Sequence, residues 1–162
     1  MQIFDSLKEL EKTREFKNWR KNNEDCYLVS FFYISDKPDE IQIDYYNKKK
    51  NAITSFAYSK NYVFAVKDSD VMAKTQKELK PLVLEGVSEL ENALKTALEF
   101  LKKRHPSYQS NKTIMILQDD NGVVWNIIFI TNNFKVVNLK LDAKSLDFIS
   151  EKEIPIFDFV QR

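Results

Sequence analysis

Glycine is nearly absent from this chain. Average usage of about 7% predicts roughly 11 glycines at this length, and the 162 residues hold two, Gly86 and Gly122. Phosphate-cradling loops need several clustered glycines so that backbone can approach the ligand. Two glycines so far apart exclude a P-loop and a dinucleotide-binding fingerprint. Proline is scarce as well, with four. The single cysteine, Cys26, cannot form an internal disulfide, which suits a reducing compartment. With one cysteine and one histidine, His105, the chain lacks the ligands of a zinc site. No metal and no cofactor is implied. Charge of one sign is not in excess either: 25 Lys and Arg face 24 Asp and Glu. A nucleic-acid-binding domain usually carries a basic surplus, so the balance points away from nucleic acid. No apolar run reaches the roughly 18 residues that span a bilayer, and the first residues, MQIFDSLKELEK, show no signal-peptide core. These absences predict a cytoplasmic protein with no membrane insertion.

What is present is aromatic. Twelve Phe, seven Tyr and two Trp can supply a sizeable core. Residues 4–22 read as a helix, being rich in helix formers and free of Gly and Pro. Its apolar residues do not form one stripe: Phe4, Leu7 and Leu10 cluster on one side, Phe16 and Trp19 on the other. The helix therefore bends near Thr13, or its halves face different partners. Four strands follow, at 26–35, 41–46, 52–58 and 62–66, separated by polar turns. Residues 67–85 read as a connector, with Pro81 interrupting any helix. The clearest helix spans 87–104: Leu90, Ala93, Leu94, Ala97, Leu98 and Leu101 keep helical spacing, and Ser88 with Glu91 makes a capping box. Strands return at 113–118, 125–130 and 137–142, the first two joined by the hairpin pair Asn121-Gly122. The tail 154–160 reads as a last strand, and Pro155 places it at an edge.

The fold class is thus α+β: two helix-plus-antiparallel-meander units at 1–70 and 87–162 with a connector at 71–86. They can close into a single compact domain. An offset of 84 residues sets Ile41, Ile43 and Tyr45 against Trp125, Ile127 and Phe129, and Phe16 against Phe100. The second half, from Leu90 to Ile149, resembles a PepSY-type domain. The resemblance rests on the helix, on Val124-Trp125-Asn126-Ile127 in the second strand, and on Asp142-Ala143-Lys144-Ser145-Leu146-Asp147-Phe148-Ile149 after the third. The family pattern there is Asp-Ala-x-Thr-Gly. Leu146 stands in the glycine's place, where a positive φ is costly, so a turn of another type is expected. The resemblance implies a small unit that binds or inhibits protein partners and carries no catalytic residues.

Candidate chemistry is thin. His105 sits at a helix end, and Cys26 follows the acidic pair Glu24-Asp25, whereas a reactive thiolate wants positive surroundings. Asp119-Asp120 lacks the alternating ligands of a calcium loop and reads as a turn. Lys48, Lys49 and Lys50 form a basic hairpin tip beside Tyr45 and Tyr46; with Trp19 they make the candidate partner surface. The leading expectation is a non-catalytic protein-binding or regulatory module whose partner is another protein or a second copy. The alternatives are a small-ligand or enzymatic pocket between helix and sheet, and weak RNA binding through the lysine tip. On the leading reading, His105→Ala and Cys26→Ala each leave function intact; loss of function with an unchanged circular dichroism spectrum in either variant counts against it.

Overall fold

The computed structural model describes residues 2–70 and 78–160, with backbone alone for 64–70. In chain order the elements are α1 (Ile3–Lys12), α2 (Arg14–Arg20), β1 (Tyr27–Ile34), β2 (Ile41–Asn47), β3 (Ala52–Ser59) and β4 (Tyr62–Asp70). Then come α3 (Leu90–Arg104), β5 (Ser110–Asp119), β6 (Val123–Thr131), β7 (Lys135–Asp142), β8 (Phe148–Pro155) and α4 (Ile156–Val160). The strands form one eight-stranded sheet in the order β4-β3-β2-β1-β5-β6-β7-β8. Every neighbouring pair is antiparallel, including β1 with β5, where Phe32 lies opposite Ile116. Each meander closes with tight turns between consecutive strands, and the join is made by the first strand of each.

One face of the sheet carries the core. Phe31, Ile43, Phe56, Met115, Leu117, Trp125, Ile127, Phe129, Leu139 and Leu141 are buried in one cluster with Ile3, Leu10, Phe16, Leu90, Ala93, Ala97 and Leu101 from the helices. Ala93 and Ala97 are small, so α3 lies close over β6 and β7, where Trp125 is fully buried. The Trp125 indole N–H donates to the Ser88 carbonyl at 3.0 Å, which satisfies the one polar atom that burial would penalise.

Several expectations need correction. The first helix is two: Thr13 has ψ 152° and breaks it. Its hydroxyl donates to the Leu10 carbonyl at 2.6 Å, and its Oγ1 accepts from the Phe16 amide at 3.3 Å, capping α2. The break brings both apolar sides, Leu10 and Phe16, onto the same core. Helix α3 begins at Leu90, and Ser88 does not cap it: the Ser88 amide and hydroxyl both reach back to the turn after β7, at the carbonyls of Ala143 and Lys144. Glu89 precedes α3 without capping it and accepts instead from the Ile3 amide of α1 at 2.9 Å. Strand β4 runs on to Asp70, into the stretch read as connector; residues 71–77 of that stretch lie outside the described residues. The last strand is Phe148–Pro155, and the expected strand at 154–160 is instead mostly the short helix α4. The chain turns back so soon after β7 that residues 148–155 already pair along it, Lys135 facing Pro155.

That early turn is the one at Asp142. Its carboxylate accepts from the amides of Lys144 and Ser145 at 2.9 and 2.8 Å and from the Ser145 hydroxyl at 3.1 Å. The Leu146 amide returns to the Asp142 carbonyl at 2.9 Å. Leu146 itself has φ +61°, so the turn keeps the left-handed residue for which a glycine is suited. Leucine is held in that conformation at a cost of roughly 1–2 kcal/mol, offset by its packing against the core. Removing the hydrogen bonds at the head of the turn leaves that strain uncompensated. We expect Asp142→Ala to lower stability by about 1–2 kcal/mol in urea unfolding, with Leu146→Asn tolerated; an Asp142→Ala variant as stable as the parent overturns this account of the turn.

Candidate functional site

The alternation of side chains in a strand sends the residues between the core positions to the other face. There the pairing lines them up in transverse rows. One row runs Gln42, Phe32, Ile116, Asn126, Lys140, Ser150 across six adjacent strands. The next runs Ile34, Ile114, Ile128, Asn138, Lys152. Phe32, Ile34, Ile114, Ile116 and Ile128 thus form a contiguous apolar patch at the middle of the sheet. All five are half-buried, and none belongs to the cluster into which α1, α2 and α3 bury their apolar residues. Among the described residues no helix covers this patch.

The patch is flanked by polar groups of unusual economy. On the β2 side Asp44 is buried, at 7% exposure. Its carboxylate accepts from the hydroxyls of Ser30 and Ser55 at 2.7 and 2.6 Å and from the Gln42 amide at 2.9 Å. Those donors are neutral, so the carboxylate is hydrogen-bonded without an ion-pair partner among the described residues. On the β6–β7 side the Oδ1 atoms of Asn126 and Asn138 are buried with no hydrogen-bond partner. Beyond them Lys140 pairs with Asp120 at 2.7 Å.

The residues singled out from sequence lie elsewhere. Trp19 is half-buried and packs its ring against Phe16, Tyr45 and Phe56 at centroid distances of 5.5, 5.3 and 5.1 Å, with the Arg20 guanidinium 5.3 Å away. It is a packing residue of the helix side. Lys48 pairs with Glu78 at 2.5 Å and Lys49 with Asp25 at 2.7 Å. Lys50 is exposed at the tip, where its amide donates to Asn47 Oδ1 at 3.0 Å. Two of the three charges are thus countered by the chain itself. Cys26 is buried in the core, and its carbonyl accepts from Arg20 at 2.7 Å. An open cleft of about 660 Å³ lies between α1 and the turns β1–β2 and β3–β4, and the residues around it include Asp5, Glu9, Asp39, Tyr58 and Lys60.

His105 is better connected than its place at a helix end suggested. Its Nε2 lies 2.5 Å from Glu151 and its Nδ1 3.7 Å from Glu153, while its ring stacks on Tyr108 at 4.6 Å. Arg104 also bonds Glu151 and lies over the Phe148 ring at 4.9 Å. Tyr108 donates to Glu153 at 3.0 Å. This cluster fastens the end of α3 to the edge strand β8. Burial pushes the Glu151 carboxyl up, but the hydrogen bonds from His105 and Arg104 outweigh it and hold the group below its ordinary value. The sequence reading missed the cluster because it placed the last strand too late. The signal was there: Glu151 and Glu153 alternate with Lys152, which puts both carboxylates on one face of a strand.

No described helix is long and apolar enough to cross a membrane. No protein-family model matches the chain, and no curated protein matches it. A solved structure does: the crystal structure of a candidate lipoprotein from Clostridium difficile 630 is similar over 86% of this chain and 90% of that one, with a TM-score of 0.57. The two are 13% identical, so the likeness is one of fold.

The Glu151 cluster yields a prediction with a sign. A carboxylate whose folded-state pKa is depressed stabilises the fold above its unfolded pKa, and the contribution is lost as pH falls through the folded value. Glu151→Gln should therefore cost stability at pH 7, about 1–3 kcal/mol, and much less in acid. Urea unfolding of parent and variant at pH 7 and pH 3 measures it; an equal loss at both values overturns the charge-based account.

Proposed function

We propose that this chain is a non-catalytic protein-binding or regulatory module built from two PepSY-like units, and that the sheet face whose central patch no described helix covers is the working surface. The observation that carries the reading is the central patch of Phe32, Ile34, Ile114, Ile116 and Ile128, open on a sheet whose other face is fully packed. The five side chains are half-buried, and contiguous apolar surface left partly open to solvent is the kind that marks interaction sites.

The two-unit reading is supported by strand register. At an offset of 84 residues, the pair Phe31–Ile43 becomes Met115–Ile127, and Phe32–Gln42 becomes Ile116–Asn126. At the same offset Phe32 maps onto Ile116, its own partner across the join, as a local two-fold axis there requires. The helices fit a slightly different step. Buried Ile3, Ser6 and Leu10 correspond to Leu90, Ala93 and Ala97 at an offset of 87, and the loops absorb the difference. The PepSY resemblance gains from Leu146, which adopts the left-handed φ that the family's glycine position calls for. We propose the cytoplasm as the compartment, and cell fractionation tests it directly.

The test of function uses a photoreactive amino acid at position 116, in the open patch, and another at Glu99, exposed on α3. In native lysate the first should give discrete protein adducts and the second should not. Equal yields from both positions overturn the assignment of the surface.

A further inference from the structure

We infer that the cluster around His105 is a pH-sensitive latch: it holds the edge strand β8 to the end of α3 while the imidazole is protonated, and lets the strand loosen when the proton is lost. The inference goes beyond the reading of the open sheet face and does not rest on it. Glu151 and Glu153 lie opposite Leu139 and Val137 of β7, which belong to the core, so the latch is on the helix side.

Strand β8 has little else to hold it. None of its residues belongs to the buried core cluster, and only Glu151 and Ile154 are as much as half-buried. Its ends are tied by the turn at Asp142 and by the Ile156 amide, which donates to the Phe134 carbonyl at 2.8 Å. Between those ends the ladder to β7 is supported from the helix side by one group of contacts. Phe148 packs on Phe100 at a centroid distance of 5.7 Å and lies under Arg104, and the two glutamates meet His105, Arg104 and Tyr108. A strand with so few buried contacts opens at low free energy, so what fastens it decides how often it opens.

The geometry at His105 suits one protonation state. Its Nε2 lies 2.5 Å from Glu151 Oε1 and its Nδ1 3.7 Å from Glu153 Oε2. A carboxylate only accepts, and a neutral imidazole carries a proton on one nitrogen alone. The imidazolium presents N–H to both glutamates. Loss of either proton turns a ring lone pair toward a carboxylate and removes the positive charge. The other groups around the ring are Arg104, cationic throughout and bonded to Glu151, and Tyr108, whose phenol is pushed up by its bond to Glu153. Lys102 and Lys103 on the last turn of α3 are exposed and make no ion pair among the described residues. From β7, Lys135 follows Val137 on the same face and makes no ion pair among the described residues either. Histidine is the side chain whose charge changes near neutral pH. The latch is therefore tight on the acid side of neutrality and loose on the alkaline side, until acid strong enough to protonate the glutamates undoes it from the other direction.

Amide hydrogen exchange of the full chain tests the inference, read on peptides covering β8 and β6 and corrected for the intrinsic effect of pH on exchange. Protection of β8 is expected to fall about tenfold between about pH 5.5 and 8, while staying below that of β6 throughout. His105→Gln, at a partly exposed helix end, should hold β8 at the low level at every pH. Glu153→Gln should shrink the fall, and Lys152→Gln, on the other face of the same strand, should leave it as in the parent. A parent whose β8 protection is the same at both ends of the range overturns the latch. So does a β8 as strongly protected as β6, since the strand then never opens by itself, and so does a fall that persists undiminished in His105→Gln. Should His105→Gln fail to fold, Glu153→Gln decides: an unchanged fall there overturns the latch. None of these outcomes bears on adducts from position 116, which lies on the opposite face.

Discussion

Everything in this molecule depends on the antiparallel pairing of β1 with β5. Two meanders of four strands each would otherwise be separate sheets, and small ones. A single sheet of this length needs strands that are apolar on both faces at its centre, and that is where the richest strands fall: β1 carries Phe31 inward and Phe32 outward, β5 carries Leu117 inward and Ile116 outward. The pairing fixes the register of the whole. From Phe32 opposite Ile116, both transverse rows of the open face follow without further choice. The core on the other face follows too, because a slip of one residue would turn every Phe and Ile to the wrong side.

The helices then decide which face is left open. Glu89 and Ser88 sit at the meeting point of the two halves, one bonding to the start of α1 and the other to the turn after β7. With Trp125 bonded to the same stretch, the starts of α1 and α3 are drawn to one place over the sheet and run outward from it. On the opposite face the polar groups at the centre satisfy each other in place, as Asp44 does, or keep an unpaired Oδ1, as Asn126 and Asn138 do, while toward one end the Tyr27 hydroxyl donates to the Leu79 carbonyl. A sheet finished with such care on one side and left plain on the other is the basis for reading the plain side as the surface that acts.

Strand periodicity was legible in the sequence wherever neighbours supply the burial that alternation implies. Ile41, Ile43 and Tyr45, and Trp125, Ile127 and Phe129, point inward as their spacing required. The α+β class and the two rounds of helix and meander could be read the same way. What could not be read was set by contacts distant in sequence. Ser88 and Glu91 have the spacing of a capping box, but Ser88 is drawn to Ala143 and Lys144, more than fifty residues on. Leu146 in a left-handed turn runs against local preference and is held by Asp142 and by packing. Lys48 and Lys49 look like an unopposed basic tip until Glu78 and Asp25 are brought beside them. The open patch itself was hidden, since an isoleucine in an inner strand reads alike whichever face it serves.

The hydrogen bond from the Ile3 amide to Glu89 also sets an order in time. A chain emerging from the ribosome makes the Ile3 end of α1 86 residues before the Glu89 carboxylate that bonds it, and β1 long before the strand that covers its inner edge. Until then YLVSFFYI is an unprotected edge, the kind that recruits other chains. The amino-terminal half cannot cover that edge by itself, since its partner strand β5 lies in the second half. Between the making of β1 and the making of β5 that edge stands uncovered.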